Sequence, residues 1–499
     1  MRDGLSLDRE WYGPPMHRFV RGAGAASICA LVGLTACVAP IVRGPNGESV
    51  GKLAGLWSYE VTASPGASEL SVVATFPKGT DRRLIVLERA DTFVVGVEVE
   101  QKDDKQGPWR EVRREGSVWT VPECVKGCRV RYRYLLADGA GSWGDLAIGM
   151  REHGVTESPP STWLLRPEHT SDGRALRFHV TSAPGETFVS GVFAAPGIPL
   201  LAGIYEARVG DGLQLPYSAF GDLRVHELAD GTATLALTPG ALPEAETIAW
   251  AEASLSAVRG FYGRAPVPHV LILVRPSAGD EVGFGMTMGY SGAAIAINVG
   301  SHTKTAGFAR DWILVHELVH TALPDMPDEQ RWLEEGLATY IEPLARYRQG
   351  SLSQSDVWTE WALKMHQGEP AENDEGLDKT HTWGRTYWGG ALFSLTADVE
   401  IRTRTLGKAS LETALRAVLA EGGNISVSWT MEKFIEVGDK ATGTTVLHET
   451  YEKLAKHPTP VDVPTLMRRL GVVVHGQEPV TFDDTAELAW VRKGMTPAR

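Results

Sequence analysis

Residues 311–340 read DWILVHELVHTALPDMPDEQRWLEEGLATY. Within them His316-Glu317-Leu318-Val319-His320 forms an H-E-x-x-H pattern, and Glu335 follows His320 by fifteen residues inside Trp332-Leu333-Glu334-Glu335-Gly336. On a helix, positions i and i+4 share a face, so His316 and His320 aim their imidazoles at one point. That spacing suits one metal ion, with Glu317 over its open position as a base. A third ligand has to arrive from elsewhere, and a carboxylate on a following helix is one solution. The bare pattern also fits a surface helix with two solvated histidines. Against that, Trp312, Ile313, Leu314, Val315, Leu318, Val319 and Leu323 make the segment apolar nearly all round, which predicts a buried helix. Two histidines and a glutamate buried without partners are costly, and a metal satisfies all three.

At 499 residues the chain is too long for one ordinary domain, and two or three are expected. Its 43% hydrophobic and 22% charged content is that of a globular protein. A net charge of −13 with no basic block argues against nucleic-acid partners.

Near the N-terminus, Arg18 and Arg21 precede an apolar run at residues 23–34, AGAASICALVGL, followed by Thr35-Ala36-Cys37. The run is too short to span a bilayer permanently. Leu34-Thr35-Ala36-Cys37 resembles a bacterial lipoprotein box. That resemblance implies a signal peptide over residues 1–36, acylation of Cys37 and a lipid anchor in the cell envelope. Val38 then fits an outer-membrane destination, facing the periplasm or the exterior. An ordinary cleaved signal with an incidental cysteine is the alternative. Met16 is a candidate start, because residues 1–15 look unlike a signal n-region. Of the remaining cysteines, Cys29 would leave with the signal. Cys124 and Cys128 flank a Gly-containing turn and read as a small disulfide in an exported chain; a second metal site is the rival.

Residues 37–52 read as a tether. Over residues 53–188 short alternating runs separated by turn residues predict an antiparallel β-domain, read as a sandwich. They include residues 56–61, 70–76, 84–87, 93–99, 130–136 and 177–181. From 189 to 350 the expected catalytic domain has strands at 223–228, 233–237 and 267–274 and a helix at 244–261. Residues 282–299, VGFGMTMGYSGAAIAINV, read as one Gly-broken strand whose edge can pair with an extended peptide. Residues 351–499 form a helical region, with helices at 356–365, 386–406, 411–419, 431–437 and 465–470.

HELVH with WLEEGLATY resembles the gluzincin metallopeptidases, the group of aminopeptidase N and the glycyl aminopeptidases. Downstream, Thr386-Tyr387-Trp388-Gly389-Gly390-Ala391-Leu392 and the run from Asp398 to Thr405 are similar to the Y-x-K-G-A-L and D-x-x-I-R-x-x-T segments of the glycyl aminopeptidase family. The resemblance implies a thermolysin-like catalytic domain. It also implies Zn2+ held by His316, His320 and Glu335, with Glu317 as general base and Tyr387 stabilising the oxyanion. Glu334 competes by position, but the residue directly before Gly336 matches the family. In the aminopeptidases a Gly-rich strand before the zinc helix carries a Glu that grips the substrate's amine. Residues 283–298 contain no acid, and Glu281 lies just before them. Gly389 stands where the family has Lys. These departures leave exopeptidase and endopeptidase both open. A peptide or protein is the implied substrate. The rivals are a non-catalytic zinc-binding surface lipoprotein and a zinc hydrolase acting on a non-peptide substrate.

Overall fold

The computed structural model describes residues 55–101, 109–144, 149–170, 174–209 and 214–498. These belong to one compact unit, Ser49–Arg499. The expected signal peptide, Cys37 and the tether lie outside the described residues.

The N-terminal part is sheet-rich. Its largest sheet has seven strands, in chain order β1 (Trp57–Ala63), β2 (Leu70–Phe76), β3 (Val94–Glu100), β4 (Trp109–Glu111), β5 (Cys128–Tyr134), β6 (Arg174–Thr181) and β7 (Ile204–Val209). Their spatial order is β7-β6-β1-β2-β5-β3-β4. Alternation builds the sheet. In β5, Cys128, Val130, Tyr132 and Tyr134 are buried while Arg129, Arg131 and Arg133 face out. Those arginines pair with Glu100 and Glu98 on β3 and with Glu69 just before β2, at 2.7, 2.6 and 2.8 Å. Exposed pairs of this kind contribute little, so the buried face carries the stability. Cys124 and Cys128 are joined by a disulfide at the start of β5.

Two expectations need correction here. The ladder is not wholly antiparallel: β1 and β6 pair in parallel, with Trp57 opposite Leu176. Only a tight hairpin forces antiparallel pairing, and β6 arrives by a long connection. The run at 84–87 is a short strand, Arg83–Ile85, in a separate four-stranded sheet with Arg166–Pro167, Val118–Thr120 and Arg114–Glu115.

A second large sheet supports the H-E-x-x-H helix. It comprises β8 (Arg224–Leu228), β9 (Ala233–Leu237), β10 (Val270–Ser277), β11 (Val282–Met288) and β12 (Ala294–Gly300), in the order β8-β9-β10-β12-β11. β9, β10 and β12 run parallel, and β11 is an antiparallel edge. The central strands are continuous apolar runs because both of their faces are covered. On one face lie α1 (Glu244–Tyr262), α2 (Ile313–His320) and α3 (Arg331–Gln349). Trp250, Val258, Leu314, Leu318, Trp332 and Leu337 from these helices share one core with Leu235, Ile272 and Ile295. On the other face Ala236, Leu271, Leu273 and Ala296 pack against Val155, Val189 and Tyr217. A buried ion pair crosses that layer: Arg275 on β10 donates from Nε to Glu157 at 2.8 Å, and each side chain is 5% exposed.

The expected single strand over 282–299 is a hairpin. Tyr290 and Ser291 take left-handed φ of 73° and 57° between β11 and β12. Their amides donate to the carbonyls of Ile425 and Ser426 at 2.9 and 3.2 Å. A Cβ at Gly289 would overlap Ile425, so glycine is required there.

The C-terminal part is helical. Gln354–Lys364 begins with a capping box between Ser353 and Asp356. The helix expected over 386–406 is α4 (Gly390–Thr405), preceded by a π-helical turn at Arg385–Gly389. Leu411–Ala420, Met431–Thr442, Val446–Leu454 and Val463–Arg469 follow, then an unforeseen hairpin of Val472–His475 and Glu478–Phe482. Among the described residues no helix is long and apolar enough to cross a membrane.

Candidate active site

Asp311 fixes the start of α2. Its carboxylate accepts from the amides of Ile313 and Leu314 at 3.0 and 3.3 Å and from Trp250 Nε1 at 2.9 Å. Four residues of rise then bring both histidines to one side, with ring centroids 5.0 Å apart. Glu335 reaches them from α3: its Oε2 lies 3.2 Å from His316 Nε2 and 3.5 Å from His320 Nε2. The three ligand atoms all fall within 4.8 Å of one another.

A glycine contact sets where Glu335 sits. A Cβ on Gly336 would overlap Gly390, and one on Gly390 would overlap the Trp332 carbonyl. α3 and α4 therefore touch backbone to backbone beside Glu335. Glu334 turns away, its Oε1 accepting from the Met326 amide at 3.2 Å. Burial first, then the charge of Asp325, pushes the Glu334 carboxyl up to about 8.

The electrostatics suit a cation. Burial alone would raise Glu335, but His320 and His316 outweigh it and hold the carboxylate well below the usual range. Burial opposes protonation of His320, yet Glu335 prevails and lifts the imidazole to about 9. His316 Nδ1 is buried with no hydrogen-bond partner, so that ring's polar engagement is through Nε2, on the Glu335 side. Two imidazoles and one carboxylate are a zinc-type donor set. Bonds of 2.0–2.1 Å in a tetrahedron imply ligand–ligand edges of about 3.3 Å. The separations to Glu335 fit that value.

Glu317, also buried, points toward β11, where Thr287 Oγ1 donates to its Oε2 at 2.6 Å. Tyr387 stands in the π-helical turn, a feature frequent at functional sites. Its ring stacks on His316 at 6.2 Å and on Trp383 at 5.8 Å. Burial, then the charges of Glu335 and Glu317, keeps its hydroxyl protonated well past the ordinary range. Trp312 meets the His316 ring edge-on at 5.6 Å. Trp312 and Trp383 are 47% and 51% exposed, so the aromatic row ends in two open indoles. Arg331 places Nη2 3.5 Å from Glu335 Oε1.

The structure thus gathers His316, Glu317, His320, Glu335 and Tyr387 in one place. Cys124 and Cys128 belong to the N-terminal sheet, and Cys37 lies outside the described residues. Thr287, the Gly336–Gly390 contact and the two tryptophans were missed in the sequence. No local signal marks the first, because Thr287 meets Glu317 only in the folded chain. A surface cleft of about 480 Å³ lined by Asp230, Glu252, Arg259 and Arg264 contains none of the site residues.

No family model matches the sequence, and no curated protein matches it. Solved structures do. An aminopeptidase N family protein from Idiomarina loihiensis superimposes with a TM-score of 0.63 at 15% identity, over 84% of this chain and 78% of that one. An M1 zinc metallopeptidase from Deinococcus radiodurans, solved with a Tyr-Ser-Ala substrate, gives a TM-score of 0.49 at 15% identity, over 82% of this chain and 95% of that one. At such identity the first likeness establishes architecture: this chain, sheet-rich in its N-terminal part and helical in its C-terminal part, has the fold of an aminopeptidase N family protein.

Proposed function

We propose that the protein is a zinc metallopeptidase, with His316, His320 and Glu335 as metal ligands, Glu317 as general base and Tyr387 as oxyanion donor. The observation that carries this reading is the convergence of the three ligand atoms within 4.8 Å of one another. The aminopeptidase N fold supports it, as does the family resemblance of the H-E-x-x-H and downstream segments. In the finer reading, the first sheets form a β-sandwich domain and the second sheet with α1–α3 a thermolysin-like domain.

When bound, zinc supplies Lewis acidity toward a water and the scissile carbonyl. Glu317 takes the proton of the attacking water on its carboxylate and returns it to the departing amine nitrogen. Tyr387, held protonated, donates its O–H to the carbonyl oxygen as negative charge grows there. An extended peptide adds to β11, the outermost strand of its sheet, and its main chain supplies the pairing.

The lack of an acid on β11 favours cleavage inside peptides over removal of N-terminal residues. The adjacent acid, Glu281, is exposed and 3.8 Å from Arg310. Export and lipid anchoring through Cys37 complete the proposal, and place the enzyme in the cell envelope.

Digesting a mixed-sequence peptide set with and without a zinc chelator tests it. Chelator-sensitive cuts within peptides are expected. Release of single N-terminal residues instead makes the enzyme an aminopeptidase. No cleavage by zinc-loaded protein refutes the peptidase assignment.

A further inference from the structure

We infer that Thr287, on the acid-free strand β11, is a positioning residue for Glu317. The inference rests on the peptidase reading above.

Thr287 Oγ1 lies 2.6 Å from Glu317 Oε2 and 3.0 Å from the Glu317 carbonyl oxygen. A threonine hydroxyl has one proton, and both acceptors belong to the same residue. The shorter contact is to the carboxylate, as expected for a charge-assisted bond. Two positions earlier on the same face of the strand, Gly285 leaves room for the stem of that glutamate. A Cβ there would stand 2.9 Å from Glu317 Cγ and 3.0 Å from Ile313 Cγ2. The strand therefore closes on Glu317 from Cγ to carboxylate.

The strand is itself braced. Gly285 and Thr287 sit opposite Ile297 and Ile295 on β12, and the alternate residues Met286 and Met288 pack into the core on the sheet's far face. Glu317 has three side-chain torsions, and a base must hold one direction to take a proton productively. Fixing those torsions in advance removes an entropic cost from the reacting complex. Thr287 engages the Glu317 carboxylate as a neutral donor and adds no like charge beside it.

The test uses the full chain loaded with zinc, as wild type, Thr287→Val and Thr287→Ser. The probes are internally quenched fluorogenic peptides of mixed sequence, with zinc content and crystal structures of each variant. Thr287→Val is expected to lower kcat by about tenfold or more while KM stays within about twofold. Its zinc content stays at the wild-type level, and the Glu317 carboxylate leaves its place while His316, His320 and Glu335 keep theirs. Thr287→Ser restores kcat to within about threefold of wild type. Wild-type kcat in Thr287→Val, an unmoved Glu317 in its structure, or a Ser variant as impaired as the Val variant overturns the inference. A raised KM at constant kcat also overturns it, because Thr287 would then touch substrate. If the wild-type chain cleaves no peptide, the peptidase reading fails, and the position of Glu317 in the variant structures still decides this one.

Discussion

Glu317 and the three proposed ligands are neighbours with separable duties. The ligands share one charge problem: a buried carboxylate that stays ionised against two imidazoles. Glu317 instead takes its hydrogen bond from β11. Changing the base should therefore spare the metal. Glu317→Gln is expected to retain zinc while slowing peptide hydrolysis by about 100-fold or more. His316→Ala should lose both. Metal analysis of the purified variants beside their peptide-cleavage rates checks this, and full activity in Glu317→Gln would sink the mechanism. His316, Glu317 and His320 were legible because they lie at fixed helical spacing, and Glu335 because the residue before Gly336 matches the family resemblance. Thr287 was not: its partner is thirty positions away in sequence, and a threonine in a strand is ordinary.

Among the elements, the meeting of α3 and α4 does most to place the site. Gly336 follows Glu335 directly, and Gly390 lies three residues after Tyr387. Their backbone contact holds a proposed ligand and the proposed oxyanion donor in one register. Gly336→Ala has no space for its methyl group, so the helices must part. A loss of about 1–3 kcal/mol in unfolding free energy is expected, with a fall in kcat. Gly260→Ala on α1 is the control: nothing lies within 4 Å of its Cβ, and a gain of about 0.5–1 kcal/mol is expected. Denaturant midpoints and rates of the two variants check the contrast. At this scale the sequence misjudged what local pattern does not encode. Residues 282–299 look like one broken strand because the turn at Tyr290 and Ser291 depends on amide bonds to Ile425 and Ser426, far along the chain. The π-helical turn at Arg385–Gly389 is likewise invisible in apolar spacing.

Across the whole molecule, the Glu157–Arg275 pair ties a strand of the N-terminal sheets to the middle of the sheet that carries the site. Burial alone would lower the arginine's affinity for its proton, but Glu157 overcomes that and raises it. Removing one partner leaves the other charge stranded. Glu157→Ala is expected to cost about 3–5 kcal/mol, while Glu157→Leu with Arg275→Leu together costs far less. Chemical denaturation of the single and double variants measures the difference; equal losses would mean the pair does not bridge the layers energetically.

The sequence by itself determined the chemistry offered: two histidines one helical turn apart, a glutamate between them, and a carboxylate on the next helix. It also determined the broad order of a sheet-rich part before a helical one, because periods of two and 3.6 residues are local properties. The family resemblance had favoured Glu335 over Glu334, and the tertiary structure supplies the physical reason. Glu334 and Glu335 are adjacent and chemically alike, but the glycine contact with α4 lies at Gly336 and Glu334 is taken up by the Met326 amide. Only the tertiary structure placed Tyr387 against His316 and gave the acid-free strand its partner in Glu317. Those choices depend on which backbones can approach, and approach is set by packing between segments far apart in the chain.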